Sequence, residues 1–432
     1  MASSFKQSIH IESFGPIKNV TIPMNDIVIL NGKQSSGKST ISKAIYLFKA
    51  LPEKLLKSLV ADESFAADFD KNLVVSVRNE ILSIFGTTKH FDGFKLEFRY
   101  SEDKKIEINK EPYSGHARVV FSNSLKKELK NIAKKIESFW EETKNQKSNE
   151  DFYAFYASRL QFFNAIKHEI QSLFQENHES FFIPAGRSLV STLSGELKNI
   201  DSYNFDSLMK DFVQKVFNLR ETFSKNLDEI IEDKKKLSSA PIDFESIKKA
   251  KNLLAEIIQG QYRYEGGEEK LLIKDDKYVK MKFSSSGQQE SLWILNLLFI
   301  NMLDNKLTFT VFEEPEAHLY PVTQYSVAKF IALSLNAKKN QAIITTHSPY
   351  IMASINTLLV AGKNGKKYKE EVEKLMDKSY WLHIDRLSAY FVSDGRIIDM
   401  VDKELGIIDP RYIDQASEII NDDFDKLLEI SI

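Results

Sequence analysis

A short stretch near the amino terminus constrains this chain more than any other feature. Gly32–Ser39 fits the pattern G-x-x-x-x-G-K-[ST], which is typical of loops that bind phosphate. The loop follows the apolar run Ile27–Leu30 and precedes the helix-forming run Ile41–Phe48. Strand, loop and helix thus occur in the order that the motif requires. We therefore interpret Gly32–Ser39 as a nucleotide site and not as a plain Gly/Ser turn.

The residue types explain the spacing of this loop. Gly32 and Gly37 allow backbone conformations and a close approach that a Cβ atom would obstruct, so successive N–H groups can point at one phosphate. The following helix adds the positive end of its dipole. Lys38 supplies a mobile positive charge for the β- and γ-phosphates, and the Ser39 hydroxyl is placed to bind Mg²⁺. The predicted nucleotide site also includes Lys33, Gln34, Ser35, Ser36 and Thr40.

The composition fits a soluble globular protein and excludes several kinds of chemistry. Of the 432 residues, 42% are hydrophobic and 28% are charged, and the formal net charge is −2. A nucleic-acid contact would therefore need a local basic patch. The absence of cysteine excludes disulfides, thiolate metal sites and thiol catalysis. The longest apolar run, around Leu292–Leu303, is too short to span a bilayer, so we expect a cytoplasmic protein without a membrane partner.

The order of the predicted elements indicates an α/β protein with a helical insertion. Residues 1–123 carry strands, the phosphate loop and the first helices, which form one lobe of a head domain. In residues 124–260 helical patterns dominate, and we expect a compact helical arm. Strands alternate with helices again in residues 261–432, which implies parallel βαβ units and the second lobe of the head. The arm begins with the apolar positions Leu125, Leu129, Ile132, Ile136 and Phe139, and a later helix is predicted from Asp206 to Asp233.

The second motif is an apolar strand that ends in two adjacent carboxylates. Leu307–Phe312 is followed directly by Glu313 and Glu314. A phosphate loop needs an acid at a neighbouring strand end to hold Mg²⁺, and hydrolysis needs a base that orients the attacking water. Glu313 suits the first role and Glu314 the second. Without a phosphate loop elsewhere in the chain, a charged turn after a buried strand would explain the pair equally well.

Two shorter motifs follow the same logic. Ser284–Gln288 precedes a predicted helix, and the predicted strand Ala342–Thr346 ends at His347. Alone, a histidine after a strand is usually structural, and a Ser-Gly-Gln sequence is a weaker signal still. Their order along the chain, together with the phosphate loop and the two carboxylates, gives them more weight.

This order of motifs resembles that of the ABC-type ATPases, in particular the branch that contains RecF, SMC and OLD-like proteins. The segment Ile11–Val20 also resembles the start of that branch, and the resemblance covers about residues 5–50 and 275–360. It implies a P-loop NTPase fold with an ABC-type ATPase head. It further implies that the chain binds ATP and Mg²⁺, hydrolyses ATP, and forms a head-to-tail homodimer or a larger homo-oligomer.

The resemblance also implies roles for the two shorter motifs. Ser285 and Gly287, with Gln288 beside them, would be the signature residues that reach the γ-phosphate of a nucleotide held by the other protomer. His347 would contact the γ-phosphate in its own subunit. The catalytic set is then Glu314, His347 and Lys38, and the predicted metal ligands are Ser39 and Glu313.

The sequence departs from the family pattern in three places. Ser286 stands where the signature usually has its first glycine, and Glu313 replaces the more common aspartate. The glutamine loop that should follow the first helices has no clear counterpart. Catalysis is therefore expected to be slow, or to serve mainly as a switch.

A further segment, Phe182–Ser188, resembles one found beside the arm in the same bacterial ATPases. Its Arg187 has two readings of equal weight. It could meet a phosphate or a partner, or it could cap the base of the arm, because arginine does both jobs well.

Residues 362–432 are expected to lack a nuclease site. OLD-like nucleases continue into a metal-binding TOPRIM domain of about a hundred residues, which needs an acidic cluster on successive strands. Here the sequence predicts strands at Tyr380–Ile384 and Ala389–Val392, a hairpin turn at Asp394–Gly395 and a terminal helix. Any nuclease would then sit on a separate polypeptide.

The sequence thus predicts an ABC-type ATPase that controls a partner through conformational change. The resemblance to ATPases of paired bacterial defence systems, such as PARIS and Septu, suggests an anti-phage role with a separately encoded toxin or nuclease as effector. One alternative is a RecF-like repair ATPase that binds DNA directly. The other is an ATP-dependent scaffold that does not hydrolyse its nucleotide.

Overall fold

The computed structural model describes residues 5–61, 65, 68–146, 152–192, 206–237, 242–273, 277–413 and 415–430. The strands are β1 (Ser8–Phe14), β2 (Ile17–Pro23), β3 (Ile27–Asn31), β4 (Phe94–Arg99), β5 (Lys105–Lys110), β6 (Arg118–Phe121), β7 (Glu179–Ile183), β8 (Gln261–Glu265), β9 (Glu268–Leu272), β10 (Tyr278–Lys280), β11 (Thr308–Glu313), β12 (Gln341–Thr346), β13 (Leu387–Ser393), β14 (Arg396–Asp399), β15 (Val401–Asp402) and β16 (Ile407–Ile408). The α-helices are α1 (Lys38–Ala61), α2 (Phe69–Phe85), α3 (Asn123–Gln146), α4 (Phe152–Phe174), α5 (Ser188–Thr192), α6 (Ser207–Arg220), α7 (Leu227–Leu237), α8 (Phe244–Ile258), α9 (Ser286–Leu303), α10 (Pro321–Ala337), α11 (Pro349–Asn364), α12 (Lys369–Leu375) and α13 (Gln415–Ile430).

The largest sheet has six strands in the order β14-β13-β3-β12-β11-β7. Its centre is parallel, because β3 pairs in parallel with both β13 and β12, and β12 pairs in parallel with β11. All residues of β3 and of β11 are buried, as expected for strands of a parallel sheet that is covered on both faces. The predicted α/β class is confirmed.

The described residues form two compact units. The second unit consists of residues 25–34, 181–393 and 397–432 and contains most of the six-stranded sheet. Helix α9 lies at its centre, and every residue from Gln289 to Leu303 is buried. The apolar run around Leu292–Leu303 is therefore a core helix of a globular unit. Among the described helices, none is long and apolar enough to cross a bilayer.

The first unit consists of residues 1–24, 35–180 and 394–396. It contains a five-stranded antiparallel sheet in the order β2-β1-β4-β5-β6, together with α1–α4. An aromatic cluster closes its core around Phe14, whose ring lies 4.9 Å from that of Phe85 and 5.0 Å from that of Phe94. The turn at Asp394–Gly395 belongs to this unit, and Gly395 O accepts hydrogen bonds from the amides of Lys18 and Asn19.

Helices α3 and α4 form a hairpin in the first unit. The predicted spacing is confirmed, because Leu125, Leu129, Ile132 and Ile136 on α3 are all buried. Farther along the hairpin, the rings of Phe139 and Phe162 stack with centroids 4.0 Å apart. The boundary between the two units falls between residues 180 and 181, within the segment 124–260 that the sequence assigns to the arm.

Two expectations need correction. The predicted strand at Tyr380–Ile384 is wrong: short 3₁₀ turns occupy Lys378–Tyr380 and Ile384–Arg386, and β13 begins only at Leu387. The cause is tertiary, since the side-chain amide of Asn336 donates to the carbonyls of Ser379 and Trp381.

The second correction concerns the helix predicted over 206–233. It is broken at Glu221–Ser224, where Phe223 has φ −86° and ψ 15° and its side chain is buried. The hairpin turn is confirmed, with left-handed φ values of 50° at Asp394 and 75° at Gly395.

Candidate functional site

The phosphate loop joins β3 to α1. Asn31 closes the strand, and its Oδ1 accepts a hydrogen bond of 2.8 Å from the amide of Gly32. The backbone then takes positive φ at Gly32 (146°), Ser35 (60°) and Gly37 (107°). A Cβ at Gly37 would stand 2.4 Å from Cδ1 of Ile17. Glycine is therefore required there both by conformation and by space.

The residues of this loop suit the phosphates of a nucleotide. The Ser36 Oγ is buried and has no hydrogen-bond partner among the described residues, which is the state expected of a group that a ligand would satisfy. Helix α1 begins at Lys38, which is buried, whereas Ser39 is exposed. The loop thus offers backbone amides, a lysine and a hydroxyl at the amino terminus of a long helix.

The central strands of the second unit end at one edge of the sheet. Asn31 pairs with Thr346, and Glu313 pairs with Thr345. Because β3, β12 and β11 run parallel, the phosphate loop, His347 and the Glu313–Glu314 pair all leave the sheet at its carboxyl edge. This is the edge at which open α/β sheets bind ligands.

Glu313 and Glu314 differ in their surroundings. Glu313 is buried, and its Oε2 accepts a long hydrogen bond of 3.4 Å from the amide of Ala185. Glu314 follows the strand with φ 45°, a left-handed conformation that is uncommon for glutamate. Its side chain is 41% exposed, and its Oε1 lies 3.2 Å from Nε2 of His347. The buried and the exposed carboxylate are thus suited to different roles.

A third carboxylate, which the sequence analysis did not single out, holds the loop after β12. Oε1 of Glu316 accepts hydrogen bonds from Thr346 Oγ1 at 2.6 Å and from the amide of His347 at 2.9 Å. Ser348 then caps α11, accepting from the amides of Tyr350 and Ile351. Glu316 therefore fixes the backbone from which the His347 side chain projects. In the sequence, its position three residues after Glu313 is the feature that could have indicated this role.

The signature segment is a helix cap. Ser285 precedes α9, and its side chain and that of Gln288 form a capping box. Nε2 of Gln288 also donates to the carbonyl of Ile258 at 2.8 Å. A Cβ at Gly287 would lie 2.8 Å from the carbonyl oxygen of His318. The segment is therefore packed against the loop that follows Glu316, and the nucleotide-binding roles of Ser285, Gly287 and Gln288 stay a prediction.

Arg187 is fully buried, with 0% of its surface exposed. Its guanidinium donates to main-chain carbonyls, among them those of Glu313 and Glu314. Burial lowers the pKa of Arg187, and Glu290, Glu316, Glu314 and Glu313 oppose that shift. The reading in which Arg187 directly meets a phosphate or a partner does not fit an arginine that is enclosed in this way.

Mg²⁺ usually keeps several waters and takes only one or two protein ligands beside the phosphates of its nucleotide. Among the described residues, no group of three or more His, Cys, Asp or Glu side chains could hold a metal ion by itself. The assignment of Ser39 and Glu313 as its ligands stays a prediction.

The parallel sheet, the phosphate loop and the carboxylates at the same sheet edge define a P-loop NTPase. The family model described as an AAA ATPase domain matches residues 6–352. The chain therefore belongs to the AAA ATPase domain family, and this membership implies nucleotide binding with Mg²⁺ in general. No curated protein matches the sequence.

Several solved structures resemble the chain over most of its length. The SMC head bound to the C-winged helix domain of ScpA is 14% identical, with a TM-score of 0.41, and the match covers 92% of this chain and 98% of that one. The SMC head domain from Thermotoga maritima is 11% identical, with a TM-score of 0.37, and the match covers 92% of this chain and 98% of that one. The recombination mediator RecF of the RecFOR pathway is 10% identical, with a TM-score of 0.35, and the match covers 93% of this chain and 100% of that one.

Proposed function

We propose that this protein is a Mg²⁺-dependent ATPase in which Glu314 orients the attacking water. The observation that carries the proposal is the 3.2 Å approach of Glu314 Oε1 to His347 Nε2, at the sheet edge from which the phosphate loop also emerges. A carboxylate beside an imidazole can accept a proton from water while the histidine stays close to the phosphate. This pairing supports hydrolysis over a scaffold that only binds its nucleotide.

Each residue of the site has one role in this proposal. The amides of the phosphate loop and Lys38 bind the β- and γ-phosphates, and Ser36 donates its buried hydroxyl to them. Ser39 and Glu313 would hold Mg²⁺, which supplies charge neutralisation on the phosphate oxygens when it is bound. Glu313 is suited to this role because it is buried and fixed at the strand end.

Hydrolysis requires an in-line attack on the γ-phosphorus. Glu314 accepts a proton as the water oxygen bonds to phosphorus, and the bond to the β–γ bridging oxygen breaks. His347 donates a hydrogen bond to the γ-phosphate, and Glu316 keeps its backbone in place through the amide contact of 2.9 Å. ADP and phosphate are the products.

The proposed active unit is a head-to-tail homodimer. Ser285 and Gly287 lie at the amino terminus of α9, whose positive end can stabilise a γ-phosphate on a second copy. Two aromatic side chains near this end, Phe283 and Tyr320, are 71% and 74% exposed. Exposed aromatic residues near the amino terminus of α9 are well suited to an interface that closes on ATP.

We further propose that ATP-driven closure controls a separately encoded effector, a toxin or nuclease, in anti-phage defence. The support is the resemblance of the sequence to ATPases of paired bacterial defence systems, together with the α3–α4 hairpin as an element that could meet a partner. Direct DNA binding, as in RecF-like repair, is the competing outcome. It would appear as a DNA affinity that falls steeply with salt concentration.

The test is steady-state ATP turnover by wild type, Glu314→Gln and Glu313→Gln. Glu314→Gln should bind Mg·ATP with near wild-type affinity and lose roughly a hundredfold or more in kcat. Glu313→Gln should instead raise the Mg²⁺ concentration needed for half-maximal binding. Glu404→Gln, at an exposed position far along the chain, serves as the control. Undiminished turnover by Glu314→Gln would refute its assigned role.

A further inference from the structure

Arg187 connects two parts of the second unit that the proposed reaction uses separately. It lies between β7 and α5 and is 0% exposed. On one side its Nε donates to the carbonyl of Glu290, in the second turn of α9, at 2.7 Å. On the other side its Nη1 and Nη2 donate to the carbonyls of Glu313 and Glu314 at 2.9 and 3.0 Å. The guanidinium thus bridges the signature helix and the end of β11.

The contacts to β11 fix the direction of the Glu314 side chain. Beyond the strand, Glu314 takes a left-handed φ of 45° while its amide donates to the carbonyl of Thr345 at 3.0 Å. Arg187 holds the carbonyls on both sides of this residue, those of Glu313 and Glu314. With its amide and both carbonyls bound, the backbone of Glu314 is held, and with it the direction of the Cα–Cβ bond. From this backbone the side chain reaches His347, whose Nε2 lies 3.2 Å from Oε1.

The contacts to α9 are equally specific. Glu290 is buried, its Oε1 accepts from the amide of Ser188 at 3.2 Å, and its Oε2 lies 3.4 Å from Nε of Arg187. Glu290 is four residues after Ser286, so it lies about 6 Å along the axis from the start of the helix. A displacement of the signature end of α9 would therefore move a group that Arg187 holds.

The charges make the arginine difficult to replace. Four carboxylates, those of Glu290, Glu313, Glu314 and Glu316, act on the buried guanidinium. Only arginine offers a planar set of five N–H donors with a permanent charge, whereas lysine offers three donors at one point. A lysine at this position would keep the charge and lose the simultaneous contacts to both elements.

We propose that Arg187 is a positioning residue that sets Glu314 for catalysis and couples it to the signature helix α9. This inference rests on the proposed ATPase function, which by itself assigns no role to Arg187. A purely structural anchor would instead lower stability without a specific effect on turnover. The two cases predict different values of kcat for the double variant at Arg187 and Glu314.

The experiment compares Arg187→Lys and Glu290→Gln with Arg220→Lys. Arg220 is a second buried arginine, but its guanidinium lies over the rings of Phe217 and Tyr264 at 3.8 and 5.0 Å. Both Arg187→Lys and Glu290→Gln should lower kcat about ten- to a hundredfold while the ATP dissociation constant changes less than about threefold. Arg220→Lys should leave kcat within about twofold.

The decisive arm is the double variant Arg187→Lys/Glu314→Gln. If Arg187 acts through Glu314, the second substitution should add less than about threefold to the loss from Glu314→Gln alone. Multiplicative losses, or a kcat for Arg187→Lys that matches the Arg220→Lys control, would overturn the proposal. Should Arg187→Lys fail to fold, Glu290→Gln with the same double-variant analysis decides the question.

A readout without turnover separates this inference from the proposed function. If wild type binds ATP but does not hydrolyse it, the proposed function fails. Amide hydrogen exchange over residues 313–316 should still rise at least about fivefold in Arg187→Lys and remain unchanged in Arg220→Lys. Equal exchange in the two variants would refute the positioning role.

Discussion

Lys49 and Glu176 form an ion pair inside the first unit, with only 2% and 3% of their side chains exposed. Lys49 lies on α1, the helix that begins at the phosphate loop, and Glu176 follows α4 of the helical hairpin. Burial alone would raise the pKa of Glu176, yet Lys49 and His178 hold it below its ordinary value. The helix that begins at the phosphate loop is therefore joined to the hairpin by a buried ion pair. Loss of either residue would leave the charge of the other buried without its partner.

Removing one partner of this pair should be costly. We expect Lys49→Met to lower the free energy of unfolding by about 3–5 kcal/mol, because it leaves a buried carboxylate without its lysine. The double variant Lys49→Met/Glu176→Leu should be less destabilised than the single one. Urea denaturation at pH 7 measures both. The exposed pair Lys57–Glu53 on the same helix is the control, and Lys57→Met should change the value by less than about 1 kcal/mol.

Glu97 should make the first unit sensitive to acid. Burial would raise its pKa, but hydrogen bonds from Lys105, Arg99 and Lys95 lower it to about 2, against an ordinary value of 4.5. Because the folded state holds the lower pKa, the stabilisation is complete above pH 4.5 and is lost as the pH falls towards 2. Glu97→Gln should lower the unfolding free energy by about 2 kcal/mol at pH 6.

That difference between wild type and Glu97→Gln should shrink by about half at pH 3. Chemical denaturation of both proteins at the two pH values gives the comparison. A difference that stays constant over this range would show that the carboxylate is not stabilised by its three cationic neighbours.

Lys38 should be necessary for nucleotide binding. Because the motif directs its ammonium at the β- and γ-phosphates, Lys38→Ala should weaken ATP binding at least about thirtyfold and abolish turnover. Binding is measured with a fluorescent ATP analogue, and circular dichroism verifies the fold. Lys57→Ala, on the same helix, should bind like wild type. Equal affinity of Lys38→Ala and wild type would remove the phosphate loop from the proposed site.

Catalysis should need two protomers, and the structure suggests which variant tests this. Gly287→Asp would force a Cβ against the backbone of His318, so its effect would mix packing with chemistry. Ser286 is exposed in the first turn of α9, where an acid is favourable to the helix but repels a triphosphate. Ser286→Glu should fold normally and be inactive alone.

Mixing Ser286→Glu with Lys38→Ala should restore activity, because heterodimers would contain one intact composite site. The expected recovery is up to about a quarter of wild-type turnover if half of the dimers are mixed and each carries one of the two sites. Titrating one variant against the other measures it. A wild-type protein that remains monomeric with saturating ATP, yet turns over at full specific activity, would contradict the composite site.

The sequence predicts well those features that depend on local pattern. The phosphate loop, the apolar strands β3, β11 and β12, and the spacing on α3 follow from motif and periodicity alone. Such signals are short-range, and the sheet edge where Glu314 and His347 meet then follows from the parallel βαβ order.

Features that depend on distant partners were missed. The sequence analysis predicts no strand in Phe182–Ser188, yet Phe182 and Ile183 belong to the strand β7 beside β11. From the sequence, two roles stay open for Arg187, because its acceptors include backbone carbonyls more than a hundred residues away. The terminal helix α13 was found, but its Phe424 and Leu427 are exposed, which periodicity does not reveal.

The pairing of β3 has a consequence for biosynthesis. Ile27 pairs with Ala342 on one side and with Leu387 on the other, so neither neighbour exists when β3 leaves the ribosome. The antiparallel pair β1–β2 can form at once, whereas β3 waits with both edges open until most of the chain has been made. A ribosome that stalls before β12 would release an apolar strand with no partner, and such a product is prone to aggregate. We therefore expect the strand that leads into the phosphate loop to reach its final position only after β12 and β13 have been synthesised.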